Sequence, residues 1–89
     1  MRLQFTNQFE KQLDKISDKR IRQQIAKALQ ELKDAPILSS VPSIKKLKGY
    51  NNAYRVRLGS YRIGLVQEKD GSLTVAHVDV RGAFYNRFP

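Results

Sequence analysis

Hydrophobic residues in the first third of the chain repeat at helical spacing. Asn7 with Glu10 resembles a capping box and predicts the start of a first helix. A second helix is predicted to begin at Ser17-Asp18 and to end near Asp34-Ala35, because the residue before Pro36 disfavours helical geometry. We expect the two helices to form an antiparallel hairpin with one apolar face, which on the second helix comprises Ile21, Ile25, Ala28, Leu29 and Leu32.

The second half of the chain changes to the alternation of β-strands. Strands are predicted near residues 53–58, 61–67 and 73–80. Gly59-Ser60 forms the first turn, and Asp70-Gly71 is a strong hairpin signal for the second. Residues 36–44, which are rich in proline and serine, are predicted to form a loop.

These elements predict an α+β fold in one domain, residues 1–89. An N-terminal strand at Leu3-Gln4-Phe5 precedes the helical hairpin, and a three-stranded antiparallel meander follows it in the same sheet. The helical pair is expected to pack on the apolar face of the sheet. The few residues after the last strand predict no full third helix.

The charge of the chain narrows the choice of partner. The sequence carries 17 Lys and Arg against 8 Asp and Glu, a net charge of +9. Nine of the basic and only three of the acidic residues lie in 45–89, so this half holds +6 of the +9. Such a field favours nucleic acid, an anionic membrane or an acidic protein. The chain lacks cysteine and any apolar run of membrane-spanning length, so we expect a cytoplasmic protein without disulfides.

Arginine recurs on one side of the predicted strands. Arg55 and Arg57 share one parity, whereas the apolar residues between and beside them share the other. Arg62 lies on the next strand, and antiparallel neighbours bring side chains on one face together. His77, Asp79 and Arg81 share parity at the end of the last strand. A solvated sheet face is the alternative, but repeated Arg is typical of phosphate recognition.

Other chemistry has little support in the sequence. Glu68, Asp70 and Asp79 form no recognisable ligand pattern, and no nucleophile motif accompanies His77, so we expect no metal and no cofactor. Tyr85 is a candidate for stacking on RNA bases. Tyr54 is predicted to pack in the core; Phe84 and Phe88 are predicted to pack the C-terminal tail against the sheet.

The order of these motifs resembles the RelE/ParE superfamily of type II toxins. The likeness runs from Phe9-Glu10-Lys11-Gln12-Leu13 through Lys-Leu-Lys-Gly, Tyr-Arg-Val-Arg and Gly-Ser-Tyr-Arg-Ile to Val78-Asp79-Val80-Arg81 and Tyr85. It implies a RelE-like fold. Val80 stands where many members carry a His before the C-terminal Arg.

The resemblance implies one of two activities. RelE-like members are ribosome-dependent, metal-independent endoribonucleases that cleave translated mRNA and so inhibit translation, whereas ParE-like members inhibit DNA gyrase. The basic strands favour the nuclease branch. The resemblance then implies catalytic roles for Arg62, Arg81 and Tyr85, and binding of mRNA phosphate or rRNA by Lys48, Arg55 and Arg57; Lys46 and His77 are further candidates.

The implied mechanism would depend on arginine and tyrosine. Guanidinium groups hold their proton tightly, so Arg62 and Arg81 would stabilise the charged phosphorane. Tyr85 would orient or deprotonate the 2′-OH, or stack a base, and a 2′,3′-cyclic phosphate is the expected product. The implied partners are a cognate antitoxin in a hetero-oligomer, the ribosome and mRNA, with no membrane. A gyrase inhibitor and a non-catalytic nucleic-acid-binding module remain the alternatives.

Overall fold

A five-stranded sheet carries two helices on one face and a short third helix on the other. The computed structural model describes residues 1–89. The strands lie in the order β1-β5-β4-β3-β2; β1 runs parallel to β5, and all other neighbours are antiparallel. The bounds are β1 Leu3–Phe5, α1 Asn7–Asp14, α2 Lys19–Asp34, β2 Ile44–Lys46, β3 Ala53–Leu58, β4 Tyr61–Gln67, β5 Leu73–Val80 and α3 Arg81–Arg87.

Polar side chains fix the starts of both long helices. Thr6 caps α1, because its hydroxyl accepts from the Phe9 amide at 3.0 Å. The predicted cap at Asn7 is therefore wrong by one residue. Asp18 caps α2 as predicted, and its carboxylate accepts from the Arg20 amide at 2.8 Å. The predicted end of α2 at Asp34-Ala35 is confirmed.

The structure confirms the predicted α+β fold and adds two elements to it. The three meander strands have the predicted bounds, but β2 extends the sheet beyond β3. The predicted loop 36–44 contains a turn of 3₁₀-helix at Leu38–Ser40 and the first residue of β2. The expectation of no third helix holds only for a full one, because α3 forms seven residues. None of the helices is long and apolar enough to cross a lipid bilayer.

The main core lies between the sheet and the helices α1 and α2. We name this side of the sheet the helix face. Phe9, Ile25 and Leu32 of the helices are buried there against Ile63, Leu65 and Val75 of the sheet. Tyr54 packs partly buried against the same cluster, which confirms its predicted role.

The opposite side, which we name the α3 face, has a much smaller core. Ala53, Phe84 and Phe88 are buried together there, with Leu47, Val66 and Ala76 packed partly buried around them. The predicted packing of Phe84 and Phe88 against the sheet is thereby confirmed.

Helix α1 covers half of the β5 edge. The strand β1 pairs only with Leu73, Thr74 and Val75 of β5, so residues 76–80 have the strand β4 on one side and no strand on the other. The Thr6 hydroxyl donates to the Ala76 carbonyl at 3.0 Å, and the Gln12 side-chain oxygen accepts from the Val78 amide at 2.9 Å. Side chains of the α1 region therefore satisfy backbone groups that a neighbouring strand would otherwise bind.

Candidate nucleic-acid interface on the α3 face

The sheet register arranges basic residues in two rows across the α3 face. In the first row Arg57 lies opposite Arg62, and Arg62 lies opposite Asp79. In the second row Lys45 lies opposite Arg55. Directly paired residues point to the same face. Each row thus contains two positive residues directly opposite one another, an arrangement that destabilises a sheet unless an anion compensates it.

Few carboxylates neutralise these cations. The arginine–carboxylate ion pairs in the structure are Arg2–Asp70 and Arg87–Asp79, and His77 Nε2 lies 3.5 Å from Asp79 Oδ2. Neither Arg57 nor Arg81 has a carboxylate partner, and both side chains are exposed. Arg55 is half-buried and donates to the Ser43 carbonyl at 2.9 Å. The α3 face therefore presents guanidinium groups that are available to an anionic ligand.

Arg62 differs from the other arginines because it is buried, with 7% of its surface exposed. Its Nη1 donates to the carbonyls of Gly59 and Tyr61 at 2.7 and 2.8 Å. Its Nε is buried without a hydrogen-bond partner. The guanidinium is thus anchored beside the β3–β4 turn.

Helix α3 brings Arg81 and Tyr85 together. They are four residues apart on a helix, so their side chains are neighbours on its surface. The Arg81 amide donates to the Ser60 carbonyl at 2.8 Å, which holds the start of α3 at the same β3–β4 turn as Arg62. Tyr85 is 48% exposed, and its ring lies edge-on to Phe84 with centroids 5.1 Å apart. The three residues proposed as catalytic therefore lie on or beside one turn and one short helix.

Gly64 allows α3 to lie close to the sheet. A Cβ at this position would come within 2.7 Å of the Phe88 ring. Gly64 pairs with Arg55 on one side and His77 on the other, so a side chain here would push the helix away from the centre of the face.

The structure places the two secondary candidates away from the exposed cations. Lys46 pairs with Tyr54, a residue of the helix face, so its side chain lies on the opposite side from Arg55. His77 belongs to the α3 face but is only 5% exposed, beneath the rings of Phe84 and Phe88. Lys48 is exposed after the end of β2.

Sequence reasoning missed Lys45 and Arg87. Lys45 shares the face of Arg55. Once β2 is recognised, the alternation that places Lys45 and the partly buried Leu47 on the same side gives this signal. Arg87 contacts Asp79 only because α3 forms, and nothing in the strand pattern indicates that helix. No three His, Asp or Glu side chains converge anywhere in the protein.

The comparison with known families agrees with this fold. Residues 3–82 match the model of the ParE toxin of the type II toxin–antitoxin system parDE, so the chain belongs to the RelE/ParE superfamily of type II toxins. It is 34% identical over its whole length to the whole of Toxin RelE3 from Methanocaldococcus jannaschii.

Solved structures show the same similarity. The chain resembles the toxin of the RelB–RelE antitoxin–toxin complex from Methanococcus jannaschii, with a TM-score of 0.78 and 33% identity over 97% of this chain and 99% of that one. The RelBE complex of E. coli gives a TM-score of 0.71 at 24% identity, over 89% and 94% of the two chains. The second likeness supports the fold alone.

Proposed function

We propose that this toxin is a ribosome-dependent endoribonuclease that cleaves mRNA, and that the α3 face is its RNA site. The observation that carries the proposal is the pairing of Lys45 with Arg55 and of Arg57 with Arg62 on one face. Like charges in cross-strand pairs cost stability, so such a face is best explained by an anion that binds it. Arginine forks match phosphate oxygens well.

The exposed cations of the strands bind the RNA backbone in this proposal. Arg57 is exposed and free of carboxylates, so it contacts a phosphate directly. Lys45, Lys48 and Arg55 extend the contact along the same edge of the sheet. Each contact of this kind releases counterions, which makes binding dependent on salt.

Arg81 and Tyr85 act at the scissile phosphate. The 2′-oxygen of the ribose loses its proton to water and attacks phosphorus, the bond to the 5′-oxygen breaks, the 5′-oxygen takes up a proton from water, and a 2′,3′-cyclic phosphate forms. Tyr85 orients the attacking 2′-OH through its hydroxyl, and Arg81 stabilises the negative charge that develops on the phosphorane. Arg62, which is anchored at the β3–β4 turn, adds a fixed positive charge near the scissile phosphate.

The decisive experiment is a primer-extension assay of translated mRNA with Arg81→Ala. Removal of one transition-state charge donor is expected to lower cleavage by about 10²–10³-fold. Arg20→Ala on the exposed side of α2 is the matched control and should cleave as the parent does. Equal cleavage by Arg81→Ala and the parent would refute the assignment.

The same preparation separates the alternatives. Inhibition of gyrase supercoiling without mRNA cleavage would assign the chain to the gyrase-inhibiting branch. Salt-sensitive RNA binding without cleavage or toxicity would identify a non-catalytic binding module.

We also infer that the chain binds an antitoxin. The M. jannaschii structure is a complex of RelE with RelB. A basic face suits an acidic or amphipathic segment that folds as it binds. The expected observation is a neighbouring short reading frame whose product copurifies with this chain and suppresses its toxicity. Failure of that product to bind would contradict the inference.

A further inference from the structure

Asp79 is the only carboxylate in strands β2 to β5 and in α3. Its Oδ1 accepts from the Val80 amide at 2.9 Å. Its Oδ2 is buried and has no hydrogen-bond partner. Two groups lie 3.5 Å from that oxygen, Arg87 Nη1 and His77 Nε2.

The His77 ring faces Gln12 as well as Asp79. Gln12 uses its side-chain oxygen to accept from the Val78 amide, so its nitrogen faces His77, 3.0 Å from the ring Nε2 and 3.3 Å from Nδ1. An amide nitrogen can only donate, so one of the two ring nitrogens accepts from it. Whichever ring nitrogen accepts, Arg87 is the permanently charged group that faces Asp79.

Helix α3 depends on contacts with the sheet for its position. It has seven residues, and its N-cap residue Val80 provides no side-chain cap. A helix this short is not stable alone. The Arg81 amide holds its first turn and Phe84 holds its middle, while Arg87 in its last turn and the buried C-cap residue Phe88 hold its end.

We propose that Asp79 is a positioning residue that fixes α3 through Arg87 and so sets the place of Arg81 and Tyr85. This inference rests on the proposed nuclease function. Arg81 and Tyr85 are carried on the same short helix, so loss of the ionic contact at its end displaces both together. A displacement of one ångström at a reacting centre can cost up to about a hundredfold in rate. The alternative is that Arg87, which is exposed, contacts RNA by itself.

A double-mutant cycle distinguishes these two roles. The variants are Asp79→Asn, Arg87→Gln and the double variant, measured for kcat and KM on ribosome-bound mRNA. We expect each single variant to lower kcat about tenfold with little change in KM. The kcat of the double variant should be no lower than that of the less active single variant, because both changes break the same contact. Arg87→Lys should recover most of the lost kcat.

Hydrogen exchange of the Phe88 amide provides a readout independent of catalysis. This amide donates to the Phe84 carbonyl at 2.9 Å, the last turn of α3. Its exchange should rise about fivefold in Asp79→Asn and Arg87→Gln. Arg2→Gln, which breaks the other Arg–Asp ion pair, is the control and should leave it unchanged.

Two outcomes would overturn the proposal. Unchanged exchange of Phe88 in both single variants would show that Asp79 does not hold the helix. A double variant whose loss equals the product of the two single losses would assign Arg87 an independent contact with RNA. A parent without nuclease activity would refute the proposed function instead, and the exchange data would still decide whether Asp79 fixes α3.

Discussion

The two faces of the sheet differ in what their side chains are used for. The helix face contributes to a cluster of 13 buried residues from α1, α2, the strands and the segments that connect them. The α3 face has a core of only three buried apolar residues, buries Arg62 and His77 beside it, and carries basic residues in unfavourable cross-strand pairs. The sheet is thus stabilised from one side. The other side tolerates groups that reduce stability and that bind RNA in the proposed function.

Truncation of Ile63 should produce the largest effect and tests the stabilising face. Ile63 is fully buried on the helix face, so Ile63→Ala is expected to cost about 2–5 kcal/mol of unfolding free energy. Val66→Ala, on the α3 face of the same strand, is the matched control and should cost clearly less because Val66 is only half-buried. Urea unfolding of both variants measures the difference. Equal losses would remove the distinction between the faces.

Gly64→Ala comes next and tests the closeness of α3 to the sheet. The added methyl would overlap the Phe88 ring, so we expect a loss of about 1–3 kcal/mol. Faster exchange of the Phe88 amide should accompany the loss, because the helix is displaced. If the Phe88 amide exchanges as slowly as in the parent, the added methyl displaces the sheet and not the helix, and the prediction is wrong.

Neutralisation of Arg57 should raise the free energy of unfolding, whereas the two preceding substitutions lower it. Arg57→Gln removes one member of the pair with Arg62 and is expected to stabilise the fold by about 0.2–1 kcal/mol. The same change should weaken RNA binding and reduce its salt slope by about one. Arg57→Lys keeps the charge and should do neither. A destabilised Arg57→Gln would indicate that the arginine serves the fold.

The smallest effect is expected at the β4–β5 turn, which belongs to neither face. Hydrogen bonds from the Ser72 hydroxyl and amide lower the pKa of Asp70 below 3.8, and Arg2 adds to this. A carboxyl group whose pKa is lower in the folded state than in the unfolded state stabilises the fold at pH values above its unfolded-state pKa. This stabilisation is lost as the pH falls through its folded-state pKa.

Asp70→Asn should therefore show a smaller fall in stability on acidification. Thermal unfolding across the range from about pH 5 to about pH 2 measures it. If the variant loses stability on acidification as much as the parent does, Asp70 makes no contribution to the pH dependence of stability. Because Asp70 is exposed, the difference should be slight.

The sequence predicted the long periodic elements and the short strand β1 well, but it missed β2 and α3. The strands β3, β4 and β5 are long enough for alternation to be read, and the two long helices have apolar stripes. The strand β2 has only three residues, so its existence depends on pairing with β3. Helix α3 depends on Phe84 and Phe88 reaching the sheet, a tertiary contact that local patterns do not carry.

The candidate site could be predicted only in part for the same reason. Parity placed Arg55 and Arg57 on one face, and the register confirms their common side. The burial of Arg62 and His77 follows from the β3–β4 turn and from α3, neither of which parity describes. A shift of one residue in the β2–β3 register would place Lys46 instead of Lys45 on the α3 face. The sequence alone did not determine this register.

The cover that Thr6 and Gln12 provide for β5 has a consequence for how the free chain behaves in solution. An open strand edge is a template on which another chain can add a strand, and growth by that route leads to aggregates. Here the half of β5 not paired with β1 has its Ala76 carbonyl and Val78 amide occupied by side chains, and the two edge strands, β1 and β2, are only three residues long. The protein alone is thus expected to remain dispersed instead of polymerising through its sheet.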